Sequence, residues 1–421
     1  MAPTFSGRRT PLHGWLAADA VSLTGTKVSM VALPWFVLVT TGSPTRTGLV
    51  ALAEMLPMVV LKVLGGPLID RLGARRVTVG CDLGSTVVVG TIPLLHHTGH
   101  LTFGLFLGIV AVAGALRGPG DAAKNALIPA IAEHARVPME RVTGLGGAVE
   151  RTSSMLGAAA AGLLIAAVGP ANALVVDAAS FLVSALLLLG STTGLPRSRR
   201  AEVPDGEPEP YLRQLHEGWR FLRGDRVLFG IAVMVALTNL LDLAWASVLL
   251  PVWARDNGGG APAVGLVFAV WAGASAVGAL CAAAWADRLS RYRTYLVAFL
   301  LTGLPRFVLF ALGVPLWVIV AFSLVGGFAS GFLNPVLGAV IFERIPEPLV
   351  GRVSSLTTAM CFALMPLGGL LGGVLVAGLG LSWAMLAVGV AYFLVTMLPA
   401  VDPRWREMDR RPAPAQEPVS A

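Results

Sequence analysis

Four ionisable residues stand in apolar surroundings at matched spacing: Asp19 and Lys27 in one stretch, Glu54 and Lys62 in the next, eight residues apart in each. A charge in hydrocarbon costs several kcal/mol unless it is paired or wet, so each is a functional candidate. Eight helical residues rise about 12 Å. The order of signs suits antiparallel neighbours, so Asp19 is expected to meet Lys62, and Lys27 to meet Glu54. Lysine occurs three times, as Lys27, Lys62 and Lys124, and the first two fall inside the apolar stretches. A buried lysine can lose its proton near neutral pH, whereas arginine effectively cannot. Glu54 and Lys27 are therefore read as proton-coupling groups, with Asp19 and Lys62 nearer an inner gate. A static pair of ion bridges is the bland alternative.

Three further charges lie in apolar stretches: Asp177, Asp242 and Arg306. Asp242 and Arg306 are deep enough to touch a central cavity, where a cationic or zwitterionic substrate would find a carboxylate. Asp177 reads more as a packing anchor. Asp82, Glu150 and Arg151 read as inner-gate or interfacial charges. His96, His97 and His100 cluster after the third stretch, but with no convergent acid or cysteine, so no metal site is expected. Cys81, Cys281 and Cys361 are separate small hydrophobes inside apolar runs, not a disulfide framework.

The elements that hold these residues are membrane helices. The chain is 55% hydrophobic and only 13% charged, against about a quarter charged in soluble domains, and its mean hydropathy is +0.75. Twelve apolar runs cover 14–39, 47–69, 77–98, 101–121, 143–168, 171–190, 227–253, 262–286, 293–313, 315–341, 352–378 and 381–400. Each is long enough to cross about 30 Å of hydrocarbon. The fold class is an all-α membrane protein. No length remains for a separate soluble catalytic domain. The first run lacks a small-residue cleavage site and reads as retained.

A net charge of +7 invites a nucleic-acid reading, but the arginines sit in the joins after even-numbered runs. Arg71, Arg75, Arg76, Arg136, Arg141, Arg197, Arg199, Arg200, Arg288, Arg291, Arg344 and Arg404 all do so, while the other joins offer Arg46 and Arg255. That asymmetry places both termini in the cytoplasm of a multi-pass protein of the cell membrane, and no nucleic-acid partner is expected.

The chain also repeats itself. Pro138, Arg141-Val142-Thr143, Leu156-Gly157 and Gly162 recur as Pro348, Arg352-Val353-Ser354, Leu367-Gly368 and Gly373, with a constant offset of 211 residues. A duplicated half is how alternating-access transporters are commonly built. The expected division is a six-helix bundle over 1–190, a linker over 191–226, a second bundle over 227–401 and a disordered tail over 402–421. Within the linker, Leu212, Leu215, Trp219 and Leu222 share one face of a helix expected to lie on the inner leaflet. Pairs such as Gly327-x-x-x-Gly331 and Gly368-x-x-x-Gly372 allow close helix approach. Pro34, Pro57, Pro93, Pro305 and Pro366 are candidate kinks.

The turn after the second run reads Gly66-Pro67-Leu68-Ile69-Asp70-Arg71-Leu72-Gly73-Ala74-Arg75-Arg76. It resembles the loop signature of the major facilitator superfamily, Gly-x-Leu-x-Asp-Arg-x-Gly followed by basic residues, with Ala74 where a further basic residue is common. Trp285-Ala286-Asp287-Arg288 is a weaker echo after the eighth run. Gly66, Asp70, Arg71, Gly73, Arg75, Arg76, Asp287 and Arg288 thus form the candidate gating-loop set, with Asp70 expected to meet a helix N-terminus or an arginine. Finer features resemble the drug-exporter branch that includes macrolide-efflux and enterobactin-exporter-like proteins: Ala32-Leu33-Pro34-Trp35, Ala126-Leu127-Ile128-Pro129, Asp177-Ala178-Ala179-Ser180-Phe181 and Gly351-Arg352-Val353. The resemblance implies two pseudo-symmetric six-helix bundles and export driven by proton exchange. The antiporter signature of the fifth run, Gly-Pro-x-x-Gly-Gly in the family, survives as Gly157-Ala158-Ala159-Ala160-Ala161-Gly162, without its proline.

The leading expectation is a secondary transporter exporting amphipathic small molecules against protons, working as a monomer without cofactor or metal. Symport of a polar nutrient and a non-transporting sensor or assembly partner are the alternatives. No Gly-x-Ser-x-Gly or phosphate-cradling loop points to an enzyme or an ATP-driven pump.

Overall fold

Apolar runs fold as helices in a bilayer because no water is there to satisfy backbone N–H and C=O groups. A computed structural model of the chain describes residues 9–193, 195, 211–257, 259–285, 288–346 and 349–409. Twelve helical spans run through them. Spans one to six are Thr10–Thr41, Pro44–Leu64, Ala74–His97, Phe103–Ala135, Arg141–Val168 and Pro170–Ser191. Spans seven to twelve are Arg226–Asp256, Gly260–Ala284, Arg291–Ala311, Leu316–Arg344, Val350–Leu379 and Leu381–Val401. Short joins make successive spans antiparallel. Span four runs further than its apolar core, as Phe103–Ala126 and then Ile128–Ala135, because Asp121 and Lys124 interrupt the hydropathy without interrupting the helix.

Spans one to six and seven to twelve form two bundles, and the sequence repeat maps onto equivalent places. Gly157 of span five lies against Thr24 and Lys27 of span one, as Gly368 of span eleven lies against Leu240 and Leu243 of span seven. Gly162 then meets Ala261, Pro262 and Gly265 of span eight, while Gly373 meets Pro44 and Thr45 of span two. A side chain at either position would collide with neighbouring backbone. Gly162 and Gly373 are therefore places where each half touches the other, while Gly157 and Gly368 pack within their own halves.

Those contacts gather at the end opposite the arginine-rich joins. There Arg255 donates to the Gly42 carbonyl at 3.3 Å and the Thr45 hydroxyl donates to the Gly373 carbonyl at 3.4 Å. Leu38, Val248 and Val252 form a sealed apolar plug beside them. At the arginine-rich end, Arg75 bonds to Thr192 within the first half, and Arg291 to Glu343 and Arg344 to Asp225 within the second. The bundles are joined at the opposite end.

Two peripheral segments pack on the second bundle, and the expectation of a disordered tail from residue 402 needs correction. The linker helix Tyr211–Gly224 docks there. Leu222 is fully buried with Leu228, Ile345 and Val353, and Arg352 bridges to Glu217 at 2.8 Å. The tail is ordered through Asp409. Pro403–Asp409 forms a short helix with Trp405 and Met408 buried. Trp405 packs over Gly230, Glu407 lies 3.3 Å from Arg344, and the Asp409 carboxylate accepts from Ser290 and from the Tyr292 amide. Residues 410–421 lie outside the described residues.

Candidate transport site

The first half carries its charges on span four. Gly114 and Gly118 face span two so closely that a Cβ at either would meet the carbonyls of Glu54 and Met58. This approach brings Arg117 Nη1 within 2.6 Å of Glu54 Oε1 and Nη2 to 3.8 Å from Asp177 Oδ2. The Ser29 hydroxyl donates to the same Asp177 oxygen. All three charged groups are buried. Seven residues on, Lys124 Nζ lies 3.4 Å from Asp82 Oδ2 and 2.7 Å from Ser22 Oγ, and Ser184 donates to Asp82 at 2.6 Å. Spans one, four and six each repeat a polar residue at a seven-residue step: Ser22 and Ser29, Arg117 and Lys124, Asp177 and Ser184. Two turns of helix separate two buried polar storeys by about 10 Å.

This arrangement replaces the expected ion bridges. Glu54 is held by Arg117, not by Lys27, and no ion pair joins Asp19 to Lys62 among the described residues. Lys27 sits beside Gly157 instead, where span five presses on its Cβ. Asp19 and Lys62 both line a cavity of about 350 Å³ with Asp121, Lys124 and Glu150, near the arginine-rich end. Lys124, which sequence places beyond span four, is buried within it, and Asp82 is an interior partner and not an interfacial charge. Asp177 is a packing anchor through Ser29 and also a second acceptor for Arg117. Arg117 itself was legible: it is a lone arginine inside the apolar run 101–121.

The second half builds a cavity of about 420 Å³ from interrupted helices. Span seven passes through a π-helical turn, Trp245–Leu249. Span nine breaks at Gly303, between Arg291–Thr302 and Leu304–Ala311, with Pro305 opening the second piece. Span eleven breaks between Val350–Ala363 and Leu367–Leu379, at Pro366. Asp242 sits just before the π turn and Arg306 just after the span-nine break, and Arg306 Nη2 lies 2.6 Å from Asp242 Oδ1. The guanidinium lies over Trp245, Trp271, Phe307 and Tyr392 at 4.5–5.3 Å from the ring centroids. Each such contact adds roughly 0.5–2 kcal/mol. Thr238, Asn239, Ser275, Thr302, Ser330 and Asn334 put polar groups into a wall that also holds five aromatic side chains. The two candidates that sequence placed near a central cavity meet there.

The gating-loop turn forms a short helix, Gly66–Leu72, ended by Gly73 at φ 87°, a conformation that favours glycine. Arg75 donates to Thr192 Oγ1 at 2.8 Å and to the Leu189 carbonyl at 3.0 Å, tying the turn to the end of span six. Asp70, Arg71 and Arg76 are exposed along a cavity of about 510 Å³. The expected partner for Asp70 is absent among the described residues. Asp287 lies outside the described residues, and Arg288 is exposed. His96 packs edge-on against Phe36, and His97 Nδ1 lies 2.7 Å from the Pro93 carbonyl, so both serve local packing.

Two helical bundles joined at one end, with buried charges in one and an aromatic cavity in the other, define a membrane transporter of the major facilitator type. The sequence matches the transmembrane secretion effector family over residues 8–419, and the chain belongs to that family, in the drug-exporter branch of the superfamily. It is 31% identical to the multidrug efflux pump Tap of Mycobacterium tuberculosis, over 99% of both chains. It is 21% identical to macrolide efflux protein A of Streptococcus pyogenes, over 92% of this chain and 94% of that one. The nucleoside transporter NupG shares the fold at a TM-score of 0.75 and 14% identity, covering 92% of this chain and 98% of that one.

Proposed function

We propose that this protein is a proton-coupled exporter of amphipathic, drug-like small molecules, working as a monomer in the cell membrane with both termini in the cytoplasm. The carrying observation is the buried Arg117 shared between Glu54 and Asp177. A proton on Glu54 removes the charge that holds Arg117, leaving Asp177 as its acceptor. Glu54 is one turn from Ala51 and less than two from Gly48, both of which pack against Gly369 of the other half. The proton site and the bundle contact thus share one helix. The contacts between halves at the end opposite the arginine-rich joins support an inward-open state, and the arginine asymmetry supports calling the arginine-rich end cytoplasmic. Export is supported by the relatives named for multidrug and macrolide efflux. The division 1–190, 191–226 and 227–401 fits two bodies rocking about a site between them.

The test is dye or antibiotic flux in vesicles under an imposed proton gradient. Export opposed to proton flow, lost in Glu54→Gln with the protein still folded, is the expected result. Flux in the direction of the proton would favour symport, and no flux under any gradient would favour a sensor. Unchanged gradient-driven export in Glu54→Gln would reject the coupling role of this carboxylate.

A further inference from the structure

We infer that the second-half cavity is a receptor for organic monocations carrying an aromatic or bulky apolar body, with Asp242 as the residue that reads the charge. The inference rests on the transport reading above, and it turns on an asymmetry within one ion pair. Arg306 and Asp242 neutralise each other on paper, but their side chains are 6% and 42% exposed. Arg306 is sealed: four rings cover its guanidinium and one amino group is spent on Asp242 Oδ1. Among the described residues the second oxygen, Asp242 Oδ2, has only the Tyr392 hydroxyl, at a distant 3.5 Å.

An incoming ligand therefore meets a carboxylate oxygen, not a guanidinium. Phe268 and Phe299, neither of them among the rings over Arg306, also line the cavity, and aromatic faces attract cations and stack on flat or apolar bodies. A volume of about 420 Å³ falls in the usual range of drug-sized pockets. The first-half cavity also carries more carboxylates than cations. The cavity in the first half presents Asp19, Asp121 and Glu150 against Lys62 and Lys124, and Lys124 is already engaged by Asp82. An anion would instead have to prise Arg306 from its rings and strand Asp242.

The test uses two ions of nearly the same shape and opposite charge, tetraphenylphosphonium and tetraphenylborate, titrated into the detergent-purified full chain. The phosphonium is expected to bind at least tenfold more tightly. Asp242→Asn should weaken phosphonium binding at least tenfold and close the gap between the ions. Because that variant leaves Arg306 uncompensated, the charge-balanced double variant Asp242→Asn with Arg306→Gln is measured beside it, and it should bind the phosphonium as weakly. Equal binding of the borate, a phosphonium affinity within twofold of wild type in Asp242→Asn, or recovery of full affinity in the double variant would each overturn the inference. Binding does not need flux, so a chain that binds the phosphonium selectively yet moves nothing in vesicles would sink the transport reading and not this one.

Discussion

The two halves repeat the same helix placements yet handle charge in opposite ways. In the first, spans one, two, three, five and six are uninterrupted, and their charges are buried against span four in two storeys. In the second, spans seven, nine, ten and eleven are interrupted near mid-depth, and the interior ion pair of Arg306 and Asp242 faces a cavity. The prolines divide the same way. Pro34, Pro57 and Pro93 sit inside continuous helices, whereas Pro305 and Pro366 open new ones. Broken helices expose backbone and side chains to a ligand, and continuous ones keep a charge network dry and rigid. A duplicated scaffold has thus separated a buried charge network in one half from an open polar and aromatic cavity in the other.

The sharpest way to break this contrast is to remove one charge of the interior ion pairs in each half. Arg117→Ala strands Glu54 and Asp177 in a dry interior, with an expected loss of about 3–5 kcal/mol in stability. Thermal melting should show it, and transport should be abolished. The matching change in the second half, Asp242→Asn, acts on a partly wet group and should cost about 1–2 kcal/mol, with binding affected more than folding. If the two variants melt alike, the halves do not differ in dryness as described.

Next in size is the contact between halves. Gly48→Leu would drive a side chain into the Gly369 backbone and hold the joined end apart. Transport should fall at least tenfold, while phosphonium binding to the second half stays within about threefold of wild type. Cysteine labelling at Thr45 should rise in this variant. Loss of binding together with transport would show that the cavity is not confined to one bundle.

The smallest effects should separate the prolines. Pro34→Ala and Pro57→Ala lie in helices that are already continuous and should change melting by only about 1–3 °C, with transport within twofold. Pro305→Ala allows the helix to run on past Gly303 and turns Arg306 away from Asp242. Its signature is a rise of several-fold in the KM for a cationic dye at nearly constant folded yield. Equal behaviour of all three would remove the hinge distinction.

Much of the frame was legible in sequence. The lengths of the apolar runs located twelve spans, and the 211-residue offset located the glycines that touch across the halves. Asp242 and Arg306 were also legible, as charges too deep to be interfacial. The partner of Glu54 was not. Spacing along two helices gives depth but not rotation, and Lys27 and Arg117 were both available at that depth. What decides between them is the close approach of spans two and four, set by Gly114 and Gly118, a feature that only tertiary packing reveals. Lys124 was misplaced for a related reason: hydropathy stops at the first charge, while the helix continues wherever a partner such as Asp82 waits inside.

The Asp409 carboxylate is seated on the N-terminal turn of span nine, a few residues beyond Trp405, which lies over span seven. Any reporter or affinity handle attached to this chain therefore has a natural point of grafting after residue 409, behind a spacer. A fusion made at residue 402 would unfasten a latch on the second bundle, and its activity would describe the unlatched protein.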